Sequence, residues 1–138
     1  MLITRKVEFS ASHICRLKEL SDAENEDLYG PEANPHGHGH NFVVEVTLEG
    51  EPDPATGMVY DLKRLKEILQ HEVVEPFDHR FLNWDVPPFD RTVPTLENLA
   101  AEIWKRVQPH FEGTAIVLHR VRVYESDTLW VDCLGVSP

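Results

Sequence analysis

Alternating apolar and polar positions predict four β-strands, two near each end of the chain. Residues 2–14 and 41–49 form the first two strands, and in each of them the apolar side chains fall on a single face. Residues 115–125 and 129–134 form the last two strands, joined by a tight turn at residues 126–128. The shared face of the first two strands carries Val7, Phe9, Ala11, His13, Phe42, Val44, Val46 and Leu48.

Apolar residues at helical spacing predict two helices between these pairs of strands. The first helix begins at an N-cap, Asp61, and continues for about 14 residues until Pro76. The second helix is opened by Thr95 and is stopped by Pro109 or Gly113. Residues 18–32 have no apolar period and predict an acidic loop with at most a short helical piece, and residues 77–91 predict an irregular segment.

The order strand, strand, helix, helix, strand, strand predicts an α+β fold. Four antiparallel strands form the sheet, and both helices pack on one face of it. Because apolar residues occur on both faces of several strands, we expect partner subunits to cover the face that the helices leave open.

Composition sets limits on the class of protein. A chain of 138 residues with 41% hydrophobic and 27% charged residues predicts one globular domain spanning residues 1–138. The net charge of -11 argues against a nucleic-acid partner. We expect a cytoplasmic protein without a membrane partner, because no apolar run could span a bilayer and the first residues lack a signal peptide's apolar core. Two cysteines without a CxxC pair agree with a reducing compartment.

The histidine-rich stretch at residues 34–42 predicts half of a metal site. His38 and His40 are two residues apart, so both rings point to the same side of an extended chain. A catalytic zinc ion usually takes three protein ligands and keeps a fourth position open. His13 becomes the third ligand if the first two strands are neighbours. The alternative interpretation is a polar loop that is merely rich in histidine.

Six segments in the same order resemble the 6-pyruvoyltetrahydropterin synthase family, which includes 6-carboxytetrahydropterin synthases. They are residues 9–13 (FSASH), 37–42 (GHGHNF), 56–62 (TGMVYDL), 78–79 with 82–83 (DH and LN), 94–98 (PTLEN) and 123–125 (VYE). The resemblance implies the T-fold, with trimers that close their sheets into a barrel and stack into a hexamer. It also implies zinc on His13, His38 and His40, and a reaction on 7,8-dihydroneopterin triphosphate without a redox cofactor.

The resemblance further implies roles for five residues of the site. Glu125 matches the carboxylate that anchors the pterin ring, and Thr95 and Glu97 match residues that line the same pocket. Asp78 and His79 match a catalytic pair in which the carboxylate orients the imidazole. Taken alone, the same residues are typical of a strand end, a helix cap with its first-turn acid, and a surface loop.

One position departs from the family pattern. Tetrahydropterin-forming members with this loop length have a cysteine base six residues before the first histidine of the pair, where this chain has Glu32. A carboxylate suits removal of a proton from a hydroxyl, and members with Glu in place of Cys cleave the side chain to 6-hydroxymethyl-7,8-dihydropterin. We therefore predict Glu32 as the base and this compound as the product.

Four alternatives to this prediction stay open. Cys15, two residues beyond His13, is a second candidate base, and His36 is a candidate pocket residue. The product is then 6-pyruvoyl- or 6-carboxytetrahydropterin, for the biopterin or queuosine pathway. A pterin- or purine-binding protein without turnover is the third alternative, and a structural zinc protein is the fourth. Arg16, Lys18 and Arg80 are candidate cations for the triphosphate.

Overall fold

Two long antiparallel strands form the centre of the sheet in the computed structural model, which describes residues 1–137. β1 (Leu2–His13) and β2 (His38–Glu49) pair along their whole length, with His13 opposite His38. β4 (Val117–Ser126) pairs with β2, and β5 (Leu129–Cys133) pairs with β4, both antiparallel. The four predicted strands are confirmed, but β2 begins at His38 rather than at residue 41, so both of its histidines lie within the strand.

A fifth strand, β3 (Arg80–Phe81), corrects the prediction of an irregular segment at residues 77–91 and of a purely antiparallel sheet. It lies parallel to β1 beside Ala11 and Ser12, which gives the strand order β3-β1-β2-β4-β5. A two-residue strand is too short to show alternation, and so no sequence pattern marks it. The short helix α4 (Leu82–Asp85) follows at once.

The two predicted helices lie close to their predicted positions. α2 (Leu62–Leu69) is capped by the Asp61 carboxylate and continues through a wide turn at Gln70–Val74 into α3 (Glu75–Phe77). α5 (Leu96–Val107) is capped by Thr95, and a tighter turn containing Pro109 follows it at Gln108–Phe111. Within residues 1–137, no helix is long and apolar enough to cross a membrane.

The acidic segment contains a regular helix, α1 (Asp22–Tyr29), which is longer than the short piece we predicted. Its apolar periodicity is weak, and so the sequence pattern underestimated it. Local capping defines the helix instead, because the Ser21 hydroxyl accepts from the Glu24 amide while the Glu24 carboxylate accepts from the Ser21 amide. A single tight turn at Gly30–Ala33 follows and leads to the site described below.

The core lies between one face of the sheet and the helices. Phe9 sits at its centre, with ring centroids 5.2 Å from Phe42 and 5.4 Å from Phe77. The predicted inward face of β2 is confirmed, since Phe42, Val44, Val46 and Leu48 are fully buried. On β1, Phe9, Ala11 and His13 are buried and Val7 is partly buried, which confirms that face as well. From the helices, the core receives Leu65, Leu69, Val73, Leu99, Ile103 and Val107.

Truncating Leu99 to alanine is expected to lower the free energy of unfolding by about 2–5 kcal/mol. The side chain is fully buried in the first turn of α5, so its removal leaves a cavity as well as losing buried apolar area. Urea unfolding of the two proteins measures the difference. Leu62→Ala, at a position 38% exposed on α2, is the control and should cost much less.

The sheet face opposite the helices is mostly polar, which corrects our expectation of apolar residues on both faces. Glu45 pairs with Lys6 at 3.3 Å and accepts from the Tyr124 hydroxyl at 3.3 Å. Arg122 donates two hydrogen bonds to Asp132, at 2.6 and 2.7 Å. Half-buried Val43 and the exposed Trp130 are the main apolar exceptions. This face therefore consists largely of cross-strand ion pairs and hydrogen bonds.

Asp132→Asn is expected to destabilise the fold less at pH 3 than at pH 7, because pH 3 lies below the ordinary Asp pKa of about 3.9. The two hydrogen bonds from Arg122 hold the pKa of Asp132 below its usual value. A lowered pKa in the folded state contributes stability above the unfolded pKa, and this is lost as the pH falls through the folded value. Urea unfolding at both pH values tests the prediction. An equal loss at pH 7 and pH 3 would contradict the electrostatic explanation.

Candidate functional site

Three histidines meet where β1 and β2 end side by side. His13 closes β1, His38 opens β2 directly opposite it, and His40 follows two residues later on the same face. The ring centroids are 4.6 Å apart for His13 and His38, 4.9 Å for His38 and His40, and 5.2 Å for His13 and His40. The structure thus brings together the three predicted metal ligands, from segments 25 or more residues apart in the chain.

Glu32 joins the histidines from the turn that follows α1. Its backbone carbonyl accepts from the Cys15 amide at 2.8 Å, which ties this turn to the chain just beyond β1. Its carboxylate oxygen Oε2 lies 2.8 Å from His38 Nε2 and 3.3 Å from His13 Nε2. One ligand atom each from His13, Glu32, His38 and His40 lies within 4.8 Å of all the others.

The histidine nitrogens fit a metal ion. The Nδ1 of His13 donates to the Pro94 carbonyl at 2.8 Å, which leaves Nε2 as the acceptor that faces the cluster. His13 Nε2, His38 Nδ1 and His40 Nε2 are buried without a hydrogen-bond partner among the described residues. Burial is the main cause that lowers the pKa of His13 and of His40, which favours the neutral imidazoles that bind metals. Three such imidazoles are a donor set that zinc accepts, with the fourth position left open for water or substrate.

Glu125 lies beside the cluster at the end of β4. Its Oε1 is 3.5 Å from His40 Nε2, and its side chain is mostly buried. Burial first, and then the negative charge of Glu32, raise the pKa of Glu125 to about 7. Glu97 adds a smaller effect of the same sign, so it is close enough to repel Glu125. Thr95 begins the same helix as Glu97, and its hydroxyl accepts from the Asn98 amide at 3.2 Å.

Cys15 is close to the site, but its environment does not favour a thiolate. Its sulfur lies 4.0 Å from His13 Nδ1 and 3.6 Å from the Pro94 carbonyl, and the residue is 3% exposed. Burial, followed by the charges of Glu32, Glu125 and Glu97, raises the pKa of the thiol to about 12. Cys15 therefore packs behind the ligands as a neutral thiol. The other cysteine, Cys133, is partly buried against the core.

Asp78 and His79 form a pair at a different place, on the outer edge of β1. The Asp78 carboxylate accepts from the Ser10 amide at 2.9 Å and from His79 Nδ1 at 2.8 Å, and these two bonds lower the pKa of Asp78. The His79 amide donates to the Ser10 carbonyl, with φ at 59°. The His79 side chain is 84% exposed. None of the hydrogen bonds of this pair reaches the three histidines or Glu32, although His79 and His40 line one open cavity.

Other residues near the site were either missed or placed elsewhere. His36 is exposed in the loop before β2 and lies outside the cluster. The Pro94 carbonyl, which orients His13, was missed because a backbone acceptor carries no sequence signal. The Asn83 amide was also missed as a site residue, although it belongs to the quoted segment 82–83. Its side chain binds both backbone groups of Ile14, the residue after His13.

Comparison with known proteins finds one family that matches nearly the whole chain. A family model described as 6-pyruvoyl tetrahydropterin synthase matches residues 2–135. The human 6-pyruvoyl tetrahydrobiopterin synthase is 47% identical over 125 residues, which cover 91% of this chain and 85% of the human one. The Drosophila melanogaster protein of that name is 40% identical over 136 residues, covering 99% and 80%.

The fold of this chain is also similar to that of a solved structure. The structure of Caenorhabditis elegans 6-pyruvoyl tetrahydropterin synthase superposes with a TM-score of 0.90 at 38% identity, covering 99% of this chain and 96% of the other. This similarity confirms the predicted α+β T-fold for the single chain.

Proposed function

Because this chain belongs to the 6-pyruvoyl tetrahydropterin synthase family, we propose that it is a zinc-dependent lyase acting on 7,8-dihydroneopterin triphosphate. The observation that carries the proposal is the position of the Glu32 carboxylate, 2.8 Å from His38 Nε2 and 3.3 Å from His13 Nε2. A base beside three metal-binding nitrogens is suited to removing a proton from a substrate hydroxyl. The product we propose is 6-hydroxymethyl-7,8-dihydropterin.

His13, His38 and His40 would hold the zinc ion. When bound, zinc supplies a Lewis acid that stabilises negative charge on the oxygens of the pterin side chain. The Pro94 carbonyl orients the His13 ring, so the ligand does not need to reorganise before it binds the metal. Three histidine ligands would leave the fourth position of the zinc ion open for water or substrate, which is typical of a catalytic rather than a structural site.

Glu32 would begin the cleavage by taking the proton of a side-chain hydroxyl. The carbon that carries this hydroxyl becomes a carbonyl, and the bond to the neighbouring carbon breaks. The electron pair goes to the carbon attached to the pterin ring, which then takes up a proton. No redox cofactor is required, because the electrons stay within the substrate until it divides into two products.

Glu125 would hold the pterin ring through hydrogen bonds from the ring amino group and the adjacent N–H, with Thr95 and Glu97 lining the same pocket. Its position 3.5 Å from His40 supports this role, since the ring and the side chain must reach the ring anchor and the metal together. Asp78 and His79 would provide the second proton-transfer pair. They make no hydrogen bond to the histidine cluster within one chain, so we infer that a second copy of the chain brings them to the site, as in the barrel that the family resemblance implies.

The second candidate function is formation of 6-pyruvoyltetrahydropterin. The names of the human and Drosophila relatives favour it, at 47% and 40% identity. This product requires a proton to be taken from carbon, for which a thiolate is the family base. Glu32 occupies that position here, and the buried thiol of Cys15 has a pKa of about 12. The residues of the site therefore favour side-chain cleavage.

The experiment that tests the proposal is incubation of the zinc-loaded protein with 7,8-dihydroneopterin triphosphate, followed by mass identification of the pterin products. We expect 6-hydroxymethyl-7,8-dihydropterin, and no product from protein stripped by a chelator. A tetrahydropterin product would overturn the cleavage and support the second candidate. Tight binding of unchanged substrate would instead indicate a pterin-binding protein.

A further inference from the structure

The chain that leaves β1 toward the site is held by a side-chain amide. The Oδ1 of Asn83 accepts from the Ile14 amide at 2.8 Å, and its Nδ2 donates to the Ile14 carbonyl at 2.9 Å. Ile14 lies between His13, which belongs to the histidine cluster, and Cys15, whose amide donates to the Glu32 carbonyl. The Asn83 side chain thus binds both backbone groups of the residue that lies between His13 and Cys15.

This contact extends the pairing between β3 and β1 through a side chain. β3 pairs with β1 only at Ala11 and Ser12, and after Phe81 its backbone turns into α4. The Asn83 amide offers the same donor and acceptor as a backbone peptide unit, so it extends the pairing to Ile14, where the main chain of β3 no longer can. The pairing fixes the direction in which the chain leaves His13.

A second amide holds the other end of the same segment. The Oδ1 of Asn25 accepts from the Leu17 amide at 2.8 Å, and its Nδ2 donates to the Leu17 carbonyl at 3.0 Å. Asn25 is fully buried on α1, the helix that precedes Glu32. The segment 14–17 has no strand partner of its own, so these amides and the bond from Cys15 to Glu32 determine where it lies.

We propose that Asn83 is a positioning residue, which holds the Ile14 peptide so that Glu32 stays in register with His13 and His38. The inference rests on the proposed function of Glu32. Loss of both hydrogen bonds would free the Ile14 peptide and, through Cys15, the turn at Glu32. A displacement of about 1 Å of a catalytic group costs on the order of 10²-fold in rate.

Asn83→Ala is expected to lower kcat by about 10- to 100-fold, with KM changed less than about threefold and the zinc content unchanged. Thr114→Ala is the matched control. The Thr114 hydroxyl also makes hydrogen bonds to backbone groups, of Phe111 and Ile116, but it lies before β4, at the opposite end of that strand from Glu125. A similar fall of kcat in both variants would show a general loss of stability and would overturn the proposal.

Two measurements separate this inference from the proposed function. Asn83→Ala combined with Glu32→Gln should be no slower than Glu32→Gln alone, because Asn83 acts through Glu32. A further tenfold loss would overturn the proposal. Hydrogen exchange of the Cys15 amide needs no turnover and should become at least about tenfold faster in Asn83→Ala than in Thr114→Ala. Unchanged protection of this amide would overturn the inference even if the wild-type protein makes a pterin product.

Discussion

Replacing Glu32 by glutamine is expected to lower kcat for cleavage of the pterin side chain by about 10²- to 10⁴-fold, the usual contribution of a positioned general base. Glutamine keeps the shape of the side chain but cannot accept the hydroxyl proton. The three histidines remain, so the zinc content should stay at the wild-type value. Steady-state rates with 7,8-dihydroneopterin triphosphate, and metal analysis of the same samples, measure the two effects.

Glu26→Gln is the matched control for this prediction. Glu26 is an exposed acid on α1 and lies outside the histidine cluster. The same change of charge there should therefore leave kcat within about twofold of wild type. A Glu32→Gln protein that keeps more than a tenth of the wild-type kcat would contradict the assignment of Glu32 as base.

Glu32→Cys tests the chemical reason for the assignment. A thiolate at this position would restore the base of the tetrahydropterin-forming members, so we expect part of the product to change from 6-hydroxymethyl-7,8-dihydropterin to a tetrahydropterin. Mass analysis of the products distinguishes the two. If Glu32→Cys and wild type give the same product, the residue at this position does not select the product.

His13→Ala is expected to remove zinc binding and activity together. His13 is 1% exposed, and its Nε2 faces the other donors, so alanine leaves only two histidines and one carboxylate. Partners that merely orient a metal ligand contribute about 10- to 100-fold in affinity, so losing a ligand should cost at least about 100-fold. Metal analysis after dialysis and activity with added zinc measure the loss.

Thermal unfolding provides a second measure of the same prediction. Zinc at about 100 times its dissociation constant should stabilise the wild-type protein by about 2.7 kcal/mol, and the same concentration should stabilise His13→Ala by less than about 1 kcal/mol. His36→Ala is the control, because His36 lies in the same histidine-rich stretch but outside the cluster. Equal zinc stabilisation of His13→Ala and His36→Ala would exclude His13 as a ligand.

The sequence alone was sufficient to predict the long elements and the residues of those elements that face the core. Period-two alternation in β1 and β2 predicted the buried face that holds Phe9 and Phe42, and a period of 3.6 predicted the stripe of α5. These patterns can be recognised because each long element places several regularly spaced side chains against the core. β3 has two residues and α1 has little apolar periodicity, so the same reasoning could not place them.

The histidines of the candidate metal site could also be predicted from the sequence, because strand geometry places His38 and His40 on one side. The tertiary structure decided how the site is supported. The bond between His13 and Pro94 joins residues 81 positions apart, and the bonds between Ile14 and Asn83 join residues 69 positions apart. Such contacts depend on how elements pack against each other, and no local pattern encodes that packing.

The sequence by itself therefore determined the fold family, the inward faces of the sheet and the identity of the clustered histidines, since all of these follow from short repeats and motifs. Only the tertiary structure placed the Glu32 carboxylate 2.8 Å from His38, buried Cys15 as a neutral thiol, and put Asp78 and His79 on a separate sheet edge. The physical reason is that distance, burial and charge between remote segments arise only when the chain is packed.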